Sequence, residues 1–207
     1  MGRENWYMAL VLAAGCGLAG CEGAPTEQAD QARRGVEDAR QVEADRYAAE
    51  EFAQLADSLR AGLIELDRQR AQFGLLRDYD NARHALEWTA RRAGEVRRQA
   101  EENKENLAKV AADALQMALT DVDATAASVA KIPRRVEYRE EIHSFKNDLK
   151  GLRATLQEMS ADLQKERFEQ VQAQAKIVQE QAERLRREVR GVMAQEALLA
   201  PRAGRRR

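Results

Sequence analysis

The residues that could bind a metal or transfer a proton are few, and only two of them are histidines. Glu140 and His143 have the Glu-x-x-His spacing of di-metal helical bundles, which places both side chains one turn apart on one helix. A second copy is absent, since Asn81 stands three residues before His84. Ile142 and Phe145 are expected to define the seam of their helix, which turns His143 sideways. We therefore predict exposed histidines, no metal site and no cofactor.

No other polar constellation in the sequence indicates catalysis. Nucleophile-elbow, phosphate-loop and zinc-spacing motifs are absent, and the serines lack a recognisable partner base. The serines considered are Ser58, Ser128, Ser144 and Ser160. The sequence favours a protein that is not an enzyme, and a hydrolase or metal enzyme on a helical bundle is the least favoured alternative.

Both cysteines lie near the N-terminus, where one of them matches a lipid-attachment motif. An apolar run covers residues 6–19, and it ends in the motif Leu18-Ala19-Gly20-Cys21. It resembles the bacterial lipobox, in which a leucine stands three positions before the cysteine and small residues lie between. The apolar run is too short to span a bilayer but suits the core of a signal peptide. The resemblance implies cleavage before Cys21 and diacylglycerol on its sulfur.

Cys16 is the alternative lipidation site, although it lacks the leucine of the motif. Cleavage before Cys21 discards Cys16, so no disulfide can form. The second mature residue is Glu22 and not the Asp that retains enteric lipoproteins in the inner membrane, which implies the outer membrane of a Gram-negative bacterium, on its periplasmic face. An uncleaved anchor helix and an ordinary secreted protein are less favoured alternatives.

Composition predicts long helices with narrow apolar seams. The 207 residues carry 34 Lys and Arg against 35 Asp and Glu, which gives a net charge of −1 and disfavours nucleic acid as a partner. Charged residues make up 33% of the chain and aromatic residues only 5%. Such a composition is poor in the side chains that build a thick core, which disfavours most classes of enzyme.

Three prolines and one glycine divide the helical stretches. Pro25 precedes the first helix, Pro133 interrupts the middle and Pro201 follows the last apolar stretch, so no predicted helix has an internal proline. Gly74 supplies a further break, and Asp78 is a plausible N-cap after it. These breaks leave three long predicted helices, over residues 30–72, 79–131 and 135–199.

Apolar residues recur at alternating steps of three and four in each segment, as in heptad seams. The first seam contains Phe52, Ala56, Leu59, Leu63, Leu66 and Phe73. The second is predicted to continue without a slip through Tyr79, Ala82, Leu86, Thr89, Ala93, Val96, Ala100, Asn103, Leu107, Val110, Ala114 and Met117. The third begins Ile142, Phe145, Leu149, Leu152, Leu156, Met159, Leu163 and resumes as Val171, Ala175, Val178, Ala182, Leu185, Val189, Val192.

Two positions disturb these seams. The third seam loses phase at residues 165–168, which we interpret as a stutter of one continuous helix. Asn103 lies on the second seam, where a buried amide would fix the register of the helices. The alternative, an Asn on a wet and splayed stretch, stays open.

Two short motifs carry a family resemblance over residues 28–103. They are Tyr47-Ala48-Ala49-Glu50-Glu51-Phe52 and Asp78-Tyr79-Asp80-Asn81-Ala82-Arg83, followed by Ala90, Ala93 and Ala100. The chain resembles an uncharacterised family of alanine-rich helical envelope lipoproteins, a domain of unknown function. Ala49 stands where the family has proline, which weakens the expectation of a helix break near residues 44–46, and Arg77 replaces the glycine before Asp78. The Asp-Tyr-x-x-Ala motif predicts a cap, an aromatic contact with the preceding helix and a close helix approach.

The sequence therefore predicts an all-α, elongated antiparallel helical hairpin or three-helix coiled-coil-like bundle. Residues 1–20 form the signal peptide, 21–29 the lipidated Cys21 and tether, 30–131 a hairpin, 132–199 a third long helix and 200–207 a basic tail. The expected function is that of a lipid-anchored tether, spacer or interaction scaffold. Envelope proteins, peptidoglycan and a second copy of the chain are the partners left open. A tetratricopeptide-like adaptor that binds a peptide or an envelope-assembly partner is the alternative.

Overall fold

The computed structural model describes residues 23–199, and this part of the chain is helical, with short turns and no strand. The all-α prediction is confirmed. The six helices are α1 (Thr26–Gln41), α2 (Ala44–Tyr47), α3 (Ala49–Arg70), α4 (Asp80–Ala130), α5 (Arg139–Gln164) and α6 (Phe168–Leu199). Short 3-10 turns occupy Gly74–Leu76 and Val136–Tyr138. The predicted signal peptide, Cys21 and the basic tail lie outside the described residues.

The chain forms two compact units, one ending at Asn103 and the other beginning at Lys104. Unit 1 contains α1, α2, α3 and residues 80–103 of α4. Unit 2 contains residues 104–130 of α4, together with α5 and α6. The breaks predicted at Gly74 and Pro133 are confirmed, since α3 and α4 end shortly before these residues.

Unit 1 is held together by close approaches of small residues to α4. A Cβ added to Gly35 of α1 would lie 2.8 Å from the Cβ of Ala93. A Cβ added to Gly62 of α3 would lie 3.0 Å from the Leu86 side chain. Such contacts let the helix backbones pack closely. The close packing buries the alanine side chains of the seams, although large side chains are few. The buried α1 residues are Ala29, Ala32, Val36 and Ala39.

Unit 2 has larger buried side chains and several charged contacts between helices. Buried residues include Leu115, Val122, Phe145, Leu149, Leu152, Leu156, Met159, Val171, Val178, Leu185 and Val189. Arg186 of α6 donates to the main-chain carbonyl of Asp121 in α4 at 3.0 Å and to its carboxylate at 3.1 Å. Lys104 forms an ion pair with Glu166 at 2.6 Å. These contacts tie α4 to α6 and to the α5–α6 turn.

The first predicted helix, 30–72, is wrong as one continuous element. The backbone turns at Glu43, whose φ is 59°, and again at Ala48, whose φ is −143°. The structure therefore has three helices over this stretch, with the short α2 between two breaks. Neither break contains Gly or Pro, so the residues themselves do not mark it; the breaks flank the residues 44–46 at which the family resemblance implied one.

The unbroken second seam is also wrong, because the buried side of α4 changes phase. The prediction is confirmed from Tyr79 to Ala100, where every seam residue is buried. Val110 and Met117 are exposed, and Ala111 and the residues in phase with it are buried instead: Leu115, Ala118, Val122, Thr125 and Val129. The step from Ala100 to Ala111 is eleven residues long, which inserts an extra step of four into the heptad pattern.

The third predicted helix, 132–199, is two helices. The phase loss at residues 165–168 is a helix break between α5 and α6, which pack against each other, so its interpretation as a stutter is wrong. Glu166 has φ 57° and makes the turn without glycine. The nearly buried Asp162 holds it: its carboxylate accepts hydrogen bonds from Arg167 at 3.0 Å and Gln170 at 2.9 Å.

Candidate functional site

The predicted lipidation residue Cys21 and its motif Leu18-Ala19-Gly20 lie outside the described part of the chain. The described chain nevertheless locates the point at which this segment joins unit 1. α1 begins at Thr26. Ala24 already packs against a buried cluster that includes Ala29, Leu66 and Tyr79.

The connection between α3 and α4 carries three exposed apolar side chains. Phe73 is 72% exposed, Leu75 88% and Leu76 71%. Phe73 was predicted to lie on the first seam, and that prediction is wrong because α3 ends at Arg70, before Phe73 could continue the pattern. The pattern also missed Leu75 and Leu76. The signal that could have found them is an apolar run at a predicted break, where a loop is expected to be polar. We call residues 73–76 the apolar loop.

Polar contacts, and not apolar burial, hold the apolar loop. Arg77 donates from Nε to the carbonyl of Gln72 at 3.0 Å and from Nη2 to the carbonyl of Arg70 at 3.1 Å. The Asp78 amide donates to Oε1 of Gln69 at 3.0 Å, and Gln69 donates in turn to Glu65 at 2.7 Å. The two Arg77 bonds satisfy main-chain carbonyls at the end of α3 that no further helical turn could reach.

The start of α4 agrees with the prediction for the Asp-Tyr-x-x-Ala motif. The Asp80 amide donates to the Asp78 carboxylate at 3.0 Å, so Asp78 caps the first turn. Tyr79 is buried in the cluster with Leu66 of α3, and Ala82 is fully buried in the same cluster. The loop is thus bounded on both sides by residues fixed in the core of unit 1.

The predicted histidine positions are confirmed as exposed. His84 lies on the surface of α4 in unit 1, and His143 lies on the surface of α5 in unit 2. Within residues 23–199, no group of three or more His, Cys, Asp or Glu side chains is arranged to hold a metal ion.

His143 lines an open, cationic groove in unit 2. The groove has a volume of about 470 Å³, and its lining contains Arg134, Arg135, Arg139 and Lys146. Arg135 is neutralised by Glu196 at 2.7 Å. Arg134, Arg139 and Lys146 have no ion pair among the described residues. This surface attracts anions in general, and nothing in its lining resembles an acid-base pair.

Glu51, Tyr138 and Glu183 have displaced pKa values, and each lies at a contact within its own unit. The pKa of Glu51 is lowered by hydrogen bonds from its own amide and from Gln99. Burial and the hydrogen bond to Glu196 raise the pKa of Tyr138. A hydrogen bond from Arg190 lowers the pKa of Glu183. Displaced pKa values can mark functional sites, but each of these is explained by structural pairing.

Asn103 combines features of both alternatives that the sequence left open, the buried amide that fixes helix positions and the Asn on a wet stretch of seam. It is half-buried, and its Nδ2 donates to the main-chain carbonyl of Tyr47 at 2.7 Å. That carbonyl lies at the C-terminal end of α2, beside the break at Ala48. The amide therefore fixes the position of α2 against α4.

No protein-family model matches this chain, and no curated protein or solved structure is significantly similar to it. Among the helices of residues 23–199, none combines the length and the apolar character that crossing a membrane requires.

Proposed function

We propose that the chain is a lipoprotein of the outer membrane of a Gram-negative bacterium, anchored through Cys21 on the periplasmic face. The lipobox-like Leu18-Ala19-Gly20-Cys21 supports the anchor. The family of alanine-rich envelope lipoproteins that the motifs resemble supports the same assignment. The diacylglycerol and any further acyl chain would hold the protein stably, because about 0.8 kcal/mol is gained for each buried CH₂ group.

The observation that carries the proposal is the short connection between Cys21 and a folded unit. Ala24 is already packed in unit 1, and α1 begins five residues after Cys21. A lipid on Cys21 would therefore be joined almost directly to the helical core of unit 1. Such a connection is suited to a tether or spacer that holds its helices close to a membrane.

We propose that the helical units act through their surfaces as an interaction scaffold, with envelope proteins, peptidoglycan or a second copy as partners. We favour this function over a tetratricopeptide-like adaptor because α4 has 51 residues. A tetratricopeptide repeat places two helices and their turns within about 34 residues, so α4 alone is longer than a complete repeat.

Labelling with a palmitate analogue in a bacterial host tests the anchor. The full chain and its Cys16→Ser variant are expected to incorporate the label and to fractionate with the outer membrane. The Cys21→Ser variant is expected to lose the label. Full labelling of Cys21→Ser together with its loss in Cys16→Ser would move the anchor to Cys16.

Complementation of a deletion strain tests the scaffold. Leu152→Asp with Leu156→Asp places two charges in the buried seam of α5 and should abolish complementation of any envelope defect. His84→Gln with His143→Gln should complement fully, because both side chains are exposed. An essential histidine pair combined with a tolerated leucine pair would refute the scaffold and favour a metal enzyme.

A further inference from the structure

The apolar loop is an exposed hydrophobic cluster that the fold does not use. Phe73, Leu75 and Leu76 are each more than two-thirds exposed within four residues. Single exposed apolar residues are ordinary on protein surfaces, whereas adjacent large ones indicate contact with something outside the fold. The polar bonds of Arg77 and Gln69 hold the loop in place without these side chains.

The register of unit 1 places the apolar loop at the same end as the start of the described chain. Gly35 of α1 faces Ala93, and the earlier Ala29 shares a cluster with the earlier α4 residue Ala82, so α1 runs parallel to α4. Thr26, the first residue of α1, stands nine positions before Gly35, so it lies beside the α4 residue nine positions before Ala93, which is His84. The apolar loop precedes α4, which begins only four residues before His84.

The chain length between Ala24 and Cys21 keeps the lipid at this end. Three residues span at most about 11 Å when fully extended. Ala24 packs against the cluster that contains Tyr79, which stands three positions after Leu76 of the apolar loop. The lipidated sulfur and the apolar loop are therefore confined to one end of unit 1.

We propose that the apolar loop inserts into the surface of the phospholipid bilayer that holds the Cys21 lipid, as a second membrane contact of unit 1. This inference rests on the lipid anchor proposed above. Phe and Leu side chains partition favourably into the region between headgroups and acyl chains. With two attachments, the end of unit 1 would be held against the membrane in one orientation, whereas the Cys21 lipid alone would provide a single attachment.

The charges beside the loop indicate that the contact is apolar and not electrostatic. Arg70 is paired with Asp67, and Arg68 with Glu65. The guanidinium of Arg77 is engaged by two main-chain carbonyls. Insertion should consequently occur into zwitterionic vesicles and should not weaken at high salt, in contrast to binding by a cationic surface.

The test uses the full chain, expressed and lipidated in a bacterial host, purified and reconstituted into phosphatidylcholine vesicles. Trp88 is replaced by Phe, and cleavage before Cys21 removes Trp6. Each variant then contains a single tryptophan, at the position chosen for the measurement. Phe73→Trp probes the loop. Ile64→Trp is the matched control, since Ile64 is also exposed, at 62%, but lies in the interior of α3, more than two turns before Phe73.

We expect lipids brominated near the headgroup to quench the indole of the Phe73→Trp variant at least about twofold more than that of the Ile64→Trp variant, equally at low and high salt. Equal quenching of both positions, or none at position 73, would overturn the inserted loop. Mass measurement of the N-terminal peptide reports acylation of Cys21 separately. An unmodified Cys21 would refute the anchor, whereas an acylated Cys21 with an unquenched indole would refute only the loop.

Discussion

Asn103 of α4 donates its side-chain amide to the main-chain carbonyl of Tyr47, 56 positions earlier in the chain, at 2.7 Å. Among the described helices, the bond joins the longest to the shortest, at the break that ends the short helix. A polar residue on a largely apolar seam thus accommodates a backbone irregularity in a neighbouring helix. This relationship leads to the first prediction.

Asn103→Leu is expected to lower the free energy of unfolding by about 1–2 kcal/mol, because it removes the hydrogen bond that joins α4 to the Tyr47 carbonyl. Chemical denaturation followed by circular dichroism measures the change. Asn106→Leu is the control: Asn106 is exposed on the same helix, and its replacement should change stability by less than about 0.5 kcal/mol. Equal effects of both variants would show that the hydrogen bond contributes nothing specific.

Gly35→Ala is expected to destabilise unit 1 by about 1–2 kcal/mol, although alanine is the better helix former. The new Cβ would lie 2.8 Å from that of Ala93, so α1 and α4 would have to separate. Gly94→Ala provides the comparison. No atom lies within 4 Å of the position its Cβ would take, and this variant should gain up to about 1 kcal/mol from helix propensity. Thermal unfolding should therefore shift in opposite directions.

Glu166→Gly is expected to be more stable than Glu166→Ala by about 1 kcal/mol, because the backbone at this position has φ 57°. Both variants lose the ion pair with Lys104, so their difference isolates the backbone. At Ala161, which is exposed within α5, replacement by Gly should cost about 1 kcal/mol. A more stable alanine variant at position 166 would contradict the left-handed turn.

Glu183→Gln is expected to reduce the loss of stability in acid. The pKa of Glu183 is lowered in the folded chain, chiefly by the hydrogen bond from Arg190, from an ordinary value of 4.5. Its contribution is therefore present above that value and is lost as the pH falls through the lower folded pKa. Denaturation between about pH 6 and pH 3 should show a smaller decline for Glu183→Gln than for the unaltered chain. Glu180→Gln, one turn earlier and without an ion pair among the described residues, should decline like the unaltered chain.

The apolar pattern predicted the fold class and the buried sides of α5 and α6, but in α3 it omitted the fully buried Leu55. Phe145, Leu152 and Leu156 of α5 are the clearest example, and all are buried as expected. In α4, by contrast, Ala111 competes with Val110 as a seam residue. Alanine is nearly neutral between inside and outside, so the pattern alone could not detect the change of phase.

The turns at Glu43 and Glu166 were not predicted as helix ends from the apolar pattern, which showed only a loss of phase near Glu166. Both residues have positive φ without being glycine. Local contacts hold the second turn, where the Asp162 carboxylate binds Arg167 and Gln170, five and eight positions later. Neither place contains glycine or proline, so the apolar pattern has no breaker from which to place a helix end.

The hydrogen bonds that hold the apolar loop in place also have an evolutionary consequence. Since Arg77 and Gln69 hold the loop, unit 1 imposes no requirement for hydrophobicity on Phe73, Leu75 or Leu76. Under selection for folding alone, these three positions would drift toward polar residues, which the surface accommodates equally well. Retention of large apolar residues there in descendants of this sequence would record selection by an external contact, separately from selection on the core.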